Sequence, residues 1–258
     1  MDPRSDIARF YDAGFQPVPD VDFYRSFLSI DGSTRLLELG CGTGRVMASL
    51  LPECAAVVGV DQSESMLAHA RDRLAGAGHD ERRAELVRGD ICRVDLARRF
   101  DLIVAPFRVF QNLETDEQVD ALFTVIRRHL ADGGTCILNA FNPNTSREEL
   151  VSIWRRADPD QEHGASEHAY RNGVLRHSFR QLRMSEDPLV IYAELIFRYY
   201  ENGALVDEAR FVPPMRVWYP EEFAGVVEDH GFEITDRWGG YAGEEYGRGP
   251  ELVVRFRT

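Results

Sequence analysis

One glycine-rich segment, Leu36–Arg45 (LLELGCGTGR), constrains the fold of this chain more than any other part of it. The apolar run Arg35–Leu39 predicts a strand, and three of the five residues that follow it, at 40–44, are glycine. Glycine permits a sharp turn and lets a ligand approach the backbone, because no Cβ stands in the way. A helix is predicted to begin near Thr43, so that its free N–H groups point at that ligand. By itself the loop fits a plain tight turn equally well, so its surroundings must decide.

Apolar runs and helical stretches alternate along the next hundred residues. Runs without a polar face suit a parallel sheet that helices cover on both sides. The stretch 115–131 is predicted to be a helix that Thr115 and Gln118 cap and that Gly133-Gly134 ends. The remaining predicted elements are a helix at 63–75 and strands at Ala55–Val60, Ala84–Val87, Phe100–Ala105 and Thr135–Ala140.

The periodicity changes after residue 145. Apolar residues at every second position from Leu189 to Tyr199 predict a strand with one buried face. Asn202-Gly203 follows and predicts a hairpin, since both residues accept a positive φ. We therefore predict an antiparallel meander over 174–217. The last predicted elements are a helix from Pro220 to His230 and strands near 232–238 and 250–257.

The composition is that of an ordinary globular protein, and its net charge disfavours some classes of binding partner. Of the 258 residues, 44% are hydrophobic, which is enough for a sizeable core. The net charge of -13 repels phosphate backbones and anionic lipid, so neither nucleic acid nor a membrane is expected as a partner. No apolar run reaches membrane-spanning length, no signal-peptide core is present, and four scattered cysteines suit reduced thiols. We expect a cytoplasmic protein without a metal site.

Two acidic residues follow the second and third predicted strands. Asp61 stands 21 positions after Gly40, where doubly wound folds place an acid on the ribose hydroxyls. Asp90 follows the third strand, where it can face an adenine amino group. The carboxyl ends of adjacent strands are where such sheets bind ligands, so these positions predict a nucleoside site.

The glycine loop also distinguishes between two nucleoside ligands. A dinucleotide fingerprint has its third glycine where Arg45 stands, and here that glycine comes one residue earlier, at Gly44. Glu38 beside the loop gains nothing from a pyrophosphate, but its carboxylate can face a cationic amino group. An NAD-dependent oxidoreductase is therefore disfavoured.

Four motifs together resemble the successive motifs of class I S-adenosylmethionine (SAM)-dependent methyltransferases. The resemblance implies SAM as the cofactor and a Rossmann-like, doubly wound α/β fold, with a seven-stranded sheet whose last strand is antiparallel. The antiparallel β insertion after strand 5 is similar to that of sugar and amine N-methyltransferases. The motifs are ELGCGTG at 38–44, VDQSESML at 60–67, GDI at 89–91 and FDLIVAPF at 100–107.

The same resemblance implies the cofactor-binding residues. The glycine loop and Glu38 would line the methionine part of SAM, Asp61 would hold the ribose, and Asp90 would flank the adenine. Ala105 ends the fourth strand, which faces the reactive methyl group in similar enzymes. The complete predicted set is Tyr11, Glu38, Gly40, Cys41, Gly42, Asp61, Gln62, Met66, Asp90, Ile91 and Ala105.

Three regions are expected along the chain. Residues 1–34 are predicted to be a helical cap over the cofactor pocket, and residues 35–144 with 218–258 form the SAM-binding domain. Residues 145–217 are the insertion, which is a lid or the surface of a homodimer. In similar enzymes an N-terminal tyrosine binds the methionine carboxylate, and Tyr11 matches it. Alternatively, Tyr11 belongs to the apolar face of a packed helix.

The acceptor side is predicted from individual residues instead of motifs. Arg108 and Gln111 follow the fourth strand, where they orient a polar substrate or make a salt bridge and a loop hydrogen bond. No general base is identified: His230 is expected to be structural, and His177 faces either the pocket or solvent. The insertion's arginines suit either an acidic substrate or a solvated strand face. The predicted substrate-binding residues are Tyr24, Arg108, Gln111, Asn142 and Tyr219.

These observations predict SAM-dependent transfer of a methyl group to a nitrogen or oxygen atom of a small molecule. Such an enzyme must mainly align the nucleophile with the methyl carbon and exclude water. A base is needed only where the accepting atom still carries its proton. The alternatives are a protein that binds SAM or another nucleoside without turnover, and a protein N-methyltransferase.

Overall fold

The computed structural model describes residues 2, 4–15, 19–76 and 81–258. The predicted cap over 1–34 includes residues 1, 3 and 16–18, which lie outside this description. In chain order the helices are α1 (Ala8–Gly14), α2 (Val21–Arg25), α3 (Arg45–Leu50), α4 (Glu64–Gly76), α5 (Asp116–His129), α6 (Arg147–Arg155) and α7 (Pro220–Asp229). The strands are β1 (Arg35–Leu39), β2 (Ala56–Asp61), β3 (Ala84–Arg88), β4 (Phe100–Ala105), β5 (Leu130–Phe141), β6 (Glu162–Tyr170), β7 (Gly173–Glu186), β8 (Leu189–Glu201), β9 (Ala204–Phe211), β10 (Pro214–Arg216), β11 (Glu233–Trp238) and β12 (Glu251–Arg257).

Seven of these strands form one mixed sheet in the order β11-β12-β5-β4-β1-β2-β3. The strands β1 to β5 pair in parallel. The last strand, β12, pairs antiparallel with both β5 and β11. This topology confirms the predicted Rossmann-like sheet with an antiparallel last strand.

The central strands β1, β2 and β4 are mostly apolar and buried because each face of the sheet carries a core. Leu37 and Leu39 of β1 enter one core, whereas Leu36 of the same strand enters the other. Side chains alternate between the faces of a strand, so a strand that is buried on both faces cannot show a polar period. The same burial explains why β2 and β4 were recognisable only as short apolar runs.

Two helix ends differ from the prediction. The helix α3 begins at Arg45 instead of near Thr43, because Gly44 before it has the left-handed φ of 75°. The helix α5 ends at His129 and not at Gly133-Gly134, because Leu130 is already extended and pairs with Phe100 of β4. The capping box of α5, between Thr115 and Gln118, is confirmed.

The insertion forms a second, antiparallel sheet in which β10-β8-β7-β6 are neighbours and β9 also pairs with β8. The hairpin between β8 and β9 is confirmed, with φ values of 49° at Asn202 and 80° at Gly203. The sheet extends beyond the predicted 174–217 because β6 adds an outer strand at Glu162–Tyr170. The side chains of β6 are mostly exposed, so its sequence carries no apolar alternation.

The helix α1 joins the two sheets through an apolar contact. Phe10 and Ile7 of this segment are buried with Met66 of α4 and Phe197 of β8. This N-terminal segment is therefore packed between α4, which flanks the larger sheet, and the insertion. Among the residues that the structure describes, no helix has the length and apolar character needed to cross a bilayer.

Candidate active site

The glycine turn after β1 leaves one side open to a ligand. The N–H groups of Gly40 and Cys41 donate to the carbonyl of Val60 at 2.7 and 3.0 Å, which ties the turn to the end of β2. A Cβ at Gly40 would lie 2.6 Å from Cγ2 of Val109. A Cβ at Gly42 would instead meet no described atom within 4 Å. The space beside Gly42 is therefore where a ligand can reach the backbone.

Asp61 is fixed against this turn. The residue is 2% exposed, and its Oδ2 accepts the N–H of Gly42 while its Oδ1 accepts the N–H of Ser63, both at 2.9 Å. Each carboxylate oxygen can accept a further hydrogen bond. The guanidinium of Arg4 lies 4.0 Å from Oδ2. This carboxylate has a fixed orientation and free acceptor capacity, which suits a pair of ribose hydroxyls.

Glu38 places a carboxyl group with one unpartnered oxygen beside the turn. It is 2% exposed, and within the described part of the chain its Oε2 has no hydrogen-bond partner. Burial raises the pKa of Glu38 to about 8, and the positive charge of Arg45 opposes that rise. A buried carboxylate oxygen without a partner is costly, and a ligand ammonium would supply the missing charge. Glu38 therefore fits the cationic end of the methionine part of SAM.

Arg45 is neutralised from the N-terminal cap instead of by a ligand. Its two terminal nitrogens contact the carboxylate of Asp20 at 2.6 and 2.8 Å, and Asp20 is fully buried. A bidentate pair of this kind fixes geometry as well as charge. It attaches the start of α2 to the start of α3, beside the glycine turn. Sequence reasoning missed Asp20, because no motif marks a partner 25 residues away.

The adenine side is the more exposed part of the site. Asp61 lies opposite Arg88 in the register of β2 and β3, so the ends of these two strands lie side by side. Asp90 follows β3, is exposed, and accepts the N–H of Cys92 at 2.9 Å. Gln62 is exposed as well, and Ile91 is half-buried. The structure brings these residues to one edge of the sheet, and their contacts with a nucleoside stay predictions.

Three predicted cofactor residues have core side chains. Met66 is fully buried between α1 and the insertion, Ala105 is fully buried, and Cys41 is 5% exposed. The side chains of Ala105 and Cys41 pack on opposite faces of the larger sheet. This corrects the prediction in one respect: at Ala105 the methyl group serves the core, so any ligand contact falls to the backbone.

Tyr11 of α1 packs against aromatic rings, as the second predicted alternative has it. Its ring packs 5.0 Å from that of Phe15 and 6.2 Å from that of Phe107. Burial raises the pKa of its phenol. A contact with the methionine carboxylate stays a prediction, supported by the position of the phenol near the turn. The charged groups that act on this phenol are those of Arg4, Asp61, Arg45 and Asp12.

Arg108 makes the salt bridge that was its second predicted alternative, and substrate binding by Arg108 stays a prediction. Its Nη2 lies 2.5 Å and its Nε 3.1 Å from Oε1 of Glu251, which is 7% exposed. Its backbone N–H donates to Oδ1 of Asn139 at 3.1 Å. The ion pair joins the loop after β4 to β12, so Arg108 shapes the loop.

Gln111 and Asn142 are also occupied by bonds within the protein. The amide of Gln111 donates to the carbonyl of Arg216 and accepts the N–H of Phe141, both at 2.8 Å. The amide of Asn142 donates to the carbonyl of Gly249 at 2.8 Å. Buried amides that are already paired lose these bonds if they turn toward a ligand. Gln111 thus makes the loop hydrogen bonds that were its second predicted alternative, and substrate contacts by Gln111 or Asn142 stay predictions.

The two predicted substrate tyrosines differ in burial. Tyr24 is 0% exposed and packs between Phe23 and Tyr241, so it is a core residue and not a substrate contact. Tyr219 is half-buried at the N-terminus of α7, with the guanidinium of Arg147 5.1 Å from its ring. Substrate binding by Tyr219 stays a prediction.

The two histidines considered as candidates separate clearly. His230 is structural: Nδ1 lies 2.6 Å from the carbonyl of Val226, Nε2 lies 3.0 Å from Asp120, and the ring stacks on Phe123. His177 of β7 turns inward and stacks on Phe197, with ring centroids 4.7 Å apart.

The ring of His177 is part of a group of aromatic rings that the sequence did not predict. We call it the aromatic cluster, and it brings together three segments: α1 with the residue after it, the loop after β4, and the insertion. No spacing rule connects residues that far apart, and the positive φ of 56° at Phe107 is visible only in the structure. Its members are Tyr11, Phe15, Phe107, His177 and Phe197.

Comparison with known proteins shows which proteins this chain resembles. Residues 36–134 match the family described as a methyltransferase domain. The dTDP-3-amino-3,4,6-trideoxy-alpha-D-glucopyranose N,N-dimethyltransferase of Streptomyces venezuelae is 30% identical over 145 residues, which cover 55% of this chain and 57% of that protein. The malonyl-[acyl-carrier protein] O-methyltransferase of Bacillus anthracis is 30% identical over 156 residues, covering 58% and 54%. The chain thus spans about half the length of these curated relatives.

The similarity of the fold extends over nearly the whole chain. The CcbJ methyltransferase of Streptomyces caelestis superposes with a TM-score of 0.70 at 24% identity, covering 94% of this chain and 97% of that one. At that identity the superposition establishes the fold alone. Residues 36–134 are therefore similar to a methyltransferase domain, and nearly the whole chain shares the fold of the CcbJ methyltransferase.

Proposed function

We propose that this protein is an enzyme that transfers a methyl group from SAM to a nitrogen or oxygen atom of a small molecule. The observation that carries the proposal is the unpartnered, buried Oε2 of Glu38 beside an open glycine turn. That combination suits a ligand whose cationic amino group binds Glu38 and whose adjacent atoms contact the backbone of the glycine turn. Asp61, held by two backbone N–H groups, supplies acceptors for the hydroxyls of the same ligand.

The residues of the chain have distinct tasks in this proposal. Glu38 binds the amino group, the turn at Gly42 accommodates the methionine part, and Asp61 orients the ribose. Tyr11 closes the site from α1, and Asp90 borders the adenine. When bound, SAM supplies a methyl carbon on a positively charged sulfur, which an aligned nucleophile can attack directly. The protein therefore needs to exclude water and align the acceptor.

The relatives differ in both the acceptor and the atom that is methylated. One is named as an N,N-dimethyltransferase of an amino sugar, which favours a small acceptor, and another as an O-methyltransferase of malonyl-[acyl-carrier protein]. All four cysteines are free thiols, three of them buried, which supports a cytoplasmic location. The division into a cap at 1–34, a domain at 35–144 with 218–258 and an insertion at 145–217 is part of the same proposal. The insertion would serve as a lid or as a homodimer surface.

Two measurements test the proposed function in sequence. Calorimetry with SAM and with S-adenosylhomocysteine (SAH), its demethylated product, tests the cofactor, and absence of binding to both would refute the proposal. Transfer of labelled methyl from SAM across a panel of amines, alcohols, phenols and carboxylic acids then tests turnover. Binding without turnover of any panel member would favour a SAM-binding protein that is not an enzyme for small molecules.

A further inference from the structure

The aromatic cluster reaches the edge of the larger sheet at which β4 ends. Phe107 stands two residues beyond the end of β4, at the ligand-binding edge of the parallel sheet. The ring of Phe15 is 5.5 Å from that of Phe107 and 5.2 Å from that of His177. The cluster therefore connects the exit of β4 directly with the insertion.

The loop that carries Phe107 is held in an unusual backbone conformation. Phe107 and Arg108 are consecutive left-handed residues, with φ values of 56° and 64°. Non-glycine residues keep such conformations only where their surroundings fix them, and they concentrate at ligand sites. Here Glu251 and Asn139 fix Arg108 through its side chain and its backbone N–H. The anchored loop keeps the ring of Phe107 within the cluster.

His177 is the polar member of the cluster. Its Nε2 is buried and has no hydrogen-bond partner among the residues described by the structure. Its ring is nearly parallel to that of Phe197, at 10°. Burial lowers the pKa of His177 to about 4, and His168 of β6 adds a smaller effect in the same direction. A neutral imidazole with its proton on Nδ1 presents Nε2 as an acceptor, so a ligand N–H would satisfy it.

We propose that the aromatic cluster is the acceptor site, that the acceptor is an amine, and that His177 is a positioning residue whose Nε2 accepts a hydrogen bond from the amine nitrogen. This inference rests on the proposed function. The hydrogen bond would hold the nitrogen so that its lone pair points at the methyl carbon. The surrounding ring faces would stabilise the positive charge that develops on that nitrogen.

The chemistry of the step explains why an amine is favoured over an alcohol. The amine reacts in its unprotonated form, after an ammonium has left one proton in solvent. Its lone pair forms the N–C bond while the C–S bond breaks and leaves its electron pair on sulfur. The positive charge passes from sulfur to nitrogen, and the new ammonium keeps its protons until it reaches solvent. An alcohol would have to lose its proton during the reaction, and a histidine that burial keeps weakly basic accepts protons poorly.

The test compares matched amine and hydroxyl compounds with variants of His177. The pairs are 3-amino-3-deoxyglucose with glucose, benzylamine with benzyl alcohol, and phenylalanine amide with phenyllactamide. We expect turnover of at least one amine and of none of the hydroxyl partners. His177→Phe, which keeps the stacked ring, should lower kcat/KM for that amine about 10- to 100-fold. His177→Gln, which keeps an acceptor atom, should restore part of the loss.

Binding measurements separate positioning from a structural role. The affinity for SAH should stay within about twofold in both His177 variants. Position 177 lies on the insertion, away from the glycine turn at which SAH is proposed to bind. In the SAH-bound wild-type protein, the amine that is turned over should shift the Nε2 resonance of His177 in nitrogen NMR. His163→Phe is the matched control, because His163 lies on β6 of the same sheet and packs on Phe179 outside the cluster.

The outcomes distinguish this inference from the proposed function. Full activity of His177→Phe, equal turnover of amine and hydroxyl partners, or an unshifted Nε2 resonance would overturn the inference. Turnover of no amine by a protein that binds SAH would also overturn it and leave the cofactor assignment intact. Failure of the wild-type protein to bind SAM and SAH would instead defeat the proposed function itself.

Discussion

The cofactor edge and the aromatic cluster of this protein are built in different ways. The glycine turn, Glu38 and Asp61 fall within residues 38–61, on two neighbouring strands, and backbone N–H groups hold the turn and the Asp61 carboxylate. The cluster draws its rings from sequence positions between 11 and 197, and contacts between side chains hold the rings together. A site fixed by backbone bonds leaves a motif in the sequence, whereas a site fixed by packing leaves none.

The largest expected effect would come from filling the space at Gly42. Gly42→Val should abolish measurable SAH binding, because its branched side chain enters the open space beside the turn. The φ of 53° also costs about 1–2 kcal/mol of stability for any residue with a Cβ. Gly42→Ala carries the same strain with less volume, so it is the control. Calorimetry and thermal unfolding measure both, and tight binding by Gly42→Val would place the ligand elsewhere.

The second effect tests whether Asp61 contacts the ligand. Asp61→Ala should weaken SAH binding about 10- to 100-fold, because hydrogen bonds to a charged group are lost. The protein should still fold, although two backbone N–H groups lose their acceptor and stability falls by about 1–2 kcal/mol. Asp61→Asn keeps the shape and one acceptor oxygen. Equal affinity in all three proteins, measured by calorimetry, would show that the ribose lies elsewhere.

A smaller effect follows from the charge of Glu38. At pH 7 the empty protein holds this carboxyl mostly protonated, because its pKa is about 8. Binding of an ammonium favours the carboxylate, so SAH binding should release up to about one proton per site. The calorimetric heat should then depend on the buffer's ionisation enthalpy. Glu38→Gln should remove that dependence and weaken binding about tenfold; an unchanged dependence would exclude Glu38 as the source of the proton.

Glu38 strengthens ligand binding in this proposal, but it lowers the stability of the empty protein at high pH. The pKa of Glu38 is higher in the folded protein than its ordinary value of 4.5, so the folded state binds the extra proton. The free energy of unfolding should therefore fall as pH rises from about 4.5 to about 8. Glu38→Gln should be more stable than the wild type by about 1–3 kcal/mol at pH 9 and equal to it at pH 4. Denaturant unfolding at both pH values measures this difference.

The smallest functional effect is expected at Asn142, on the acceptor side. Its amide is bonded to Gly249, so Asn142→Ala should cost about 1 kcal/mol, or about 2–4 °C in Tm. The acceptor KM and the SAH affinity should both stay within about twofold. An acceptor KM that rises tenfold at unchanged Tm would show that Asn142 contacts the substrate. The acceptor side would then contain a residue that the sequence predicted correctly, as the cofactor edge does.

The cofactor edge shows how far the sequence reaches. Strands β1 to β5 could be predicted as buried runs, and the order of the glycine turn, Asp61 and Asp90 followed from the carboxyl ends of parallel strands. The acceptor residues could not be predicted in this way. Arg108, Gln111 and Asn142 looked available because their partners Glu251, Arg216 and Gly249 lie about 100 or more residues away. Their bonds exist only after the sheet has closed.

By itself the sequence determined the fold class, the glycine turn and the acids at the strand ends, because each depends on residues close together in the chain. Backbone geometry, apolar periods and capping all act over a few positions, so they leave a readable trace. Only the tertiary structure decided that Asp20 neutralises Arg45, that Tyr24 lies in the core, and that His177 turns inward among aromatic rings. Contacts between distant segments depend on how whole elements pack, which no local pattern encodes.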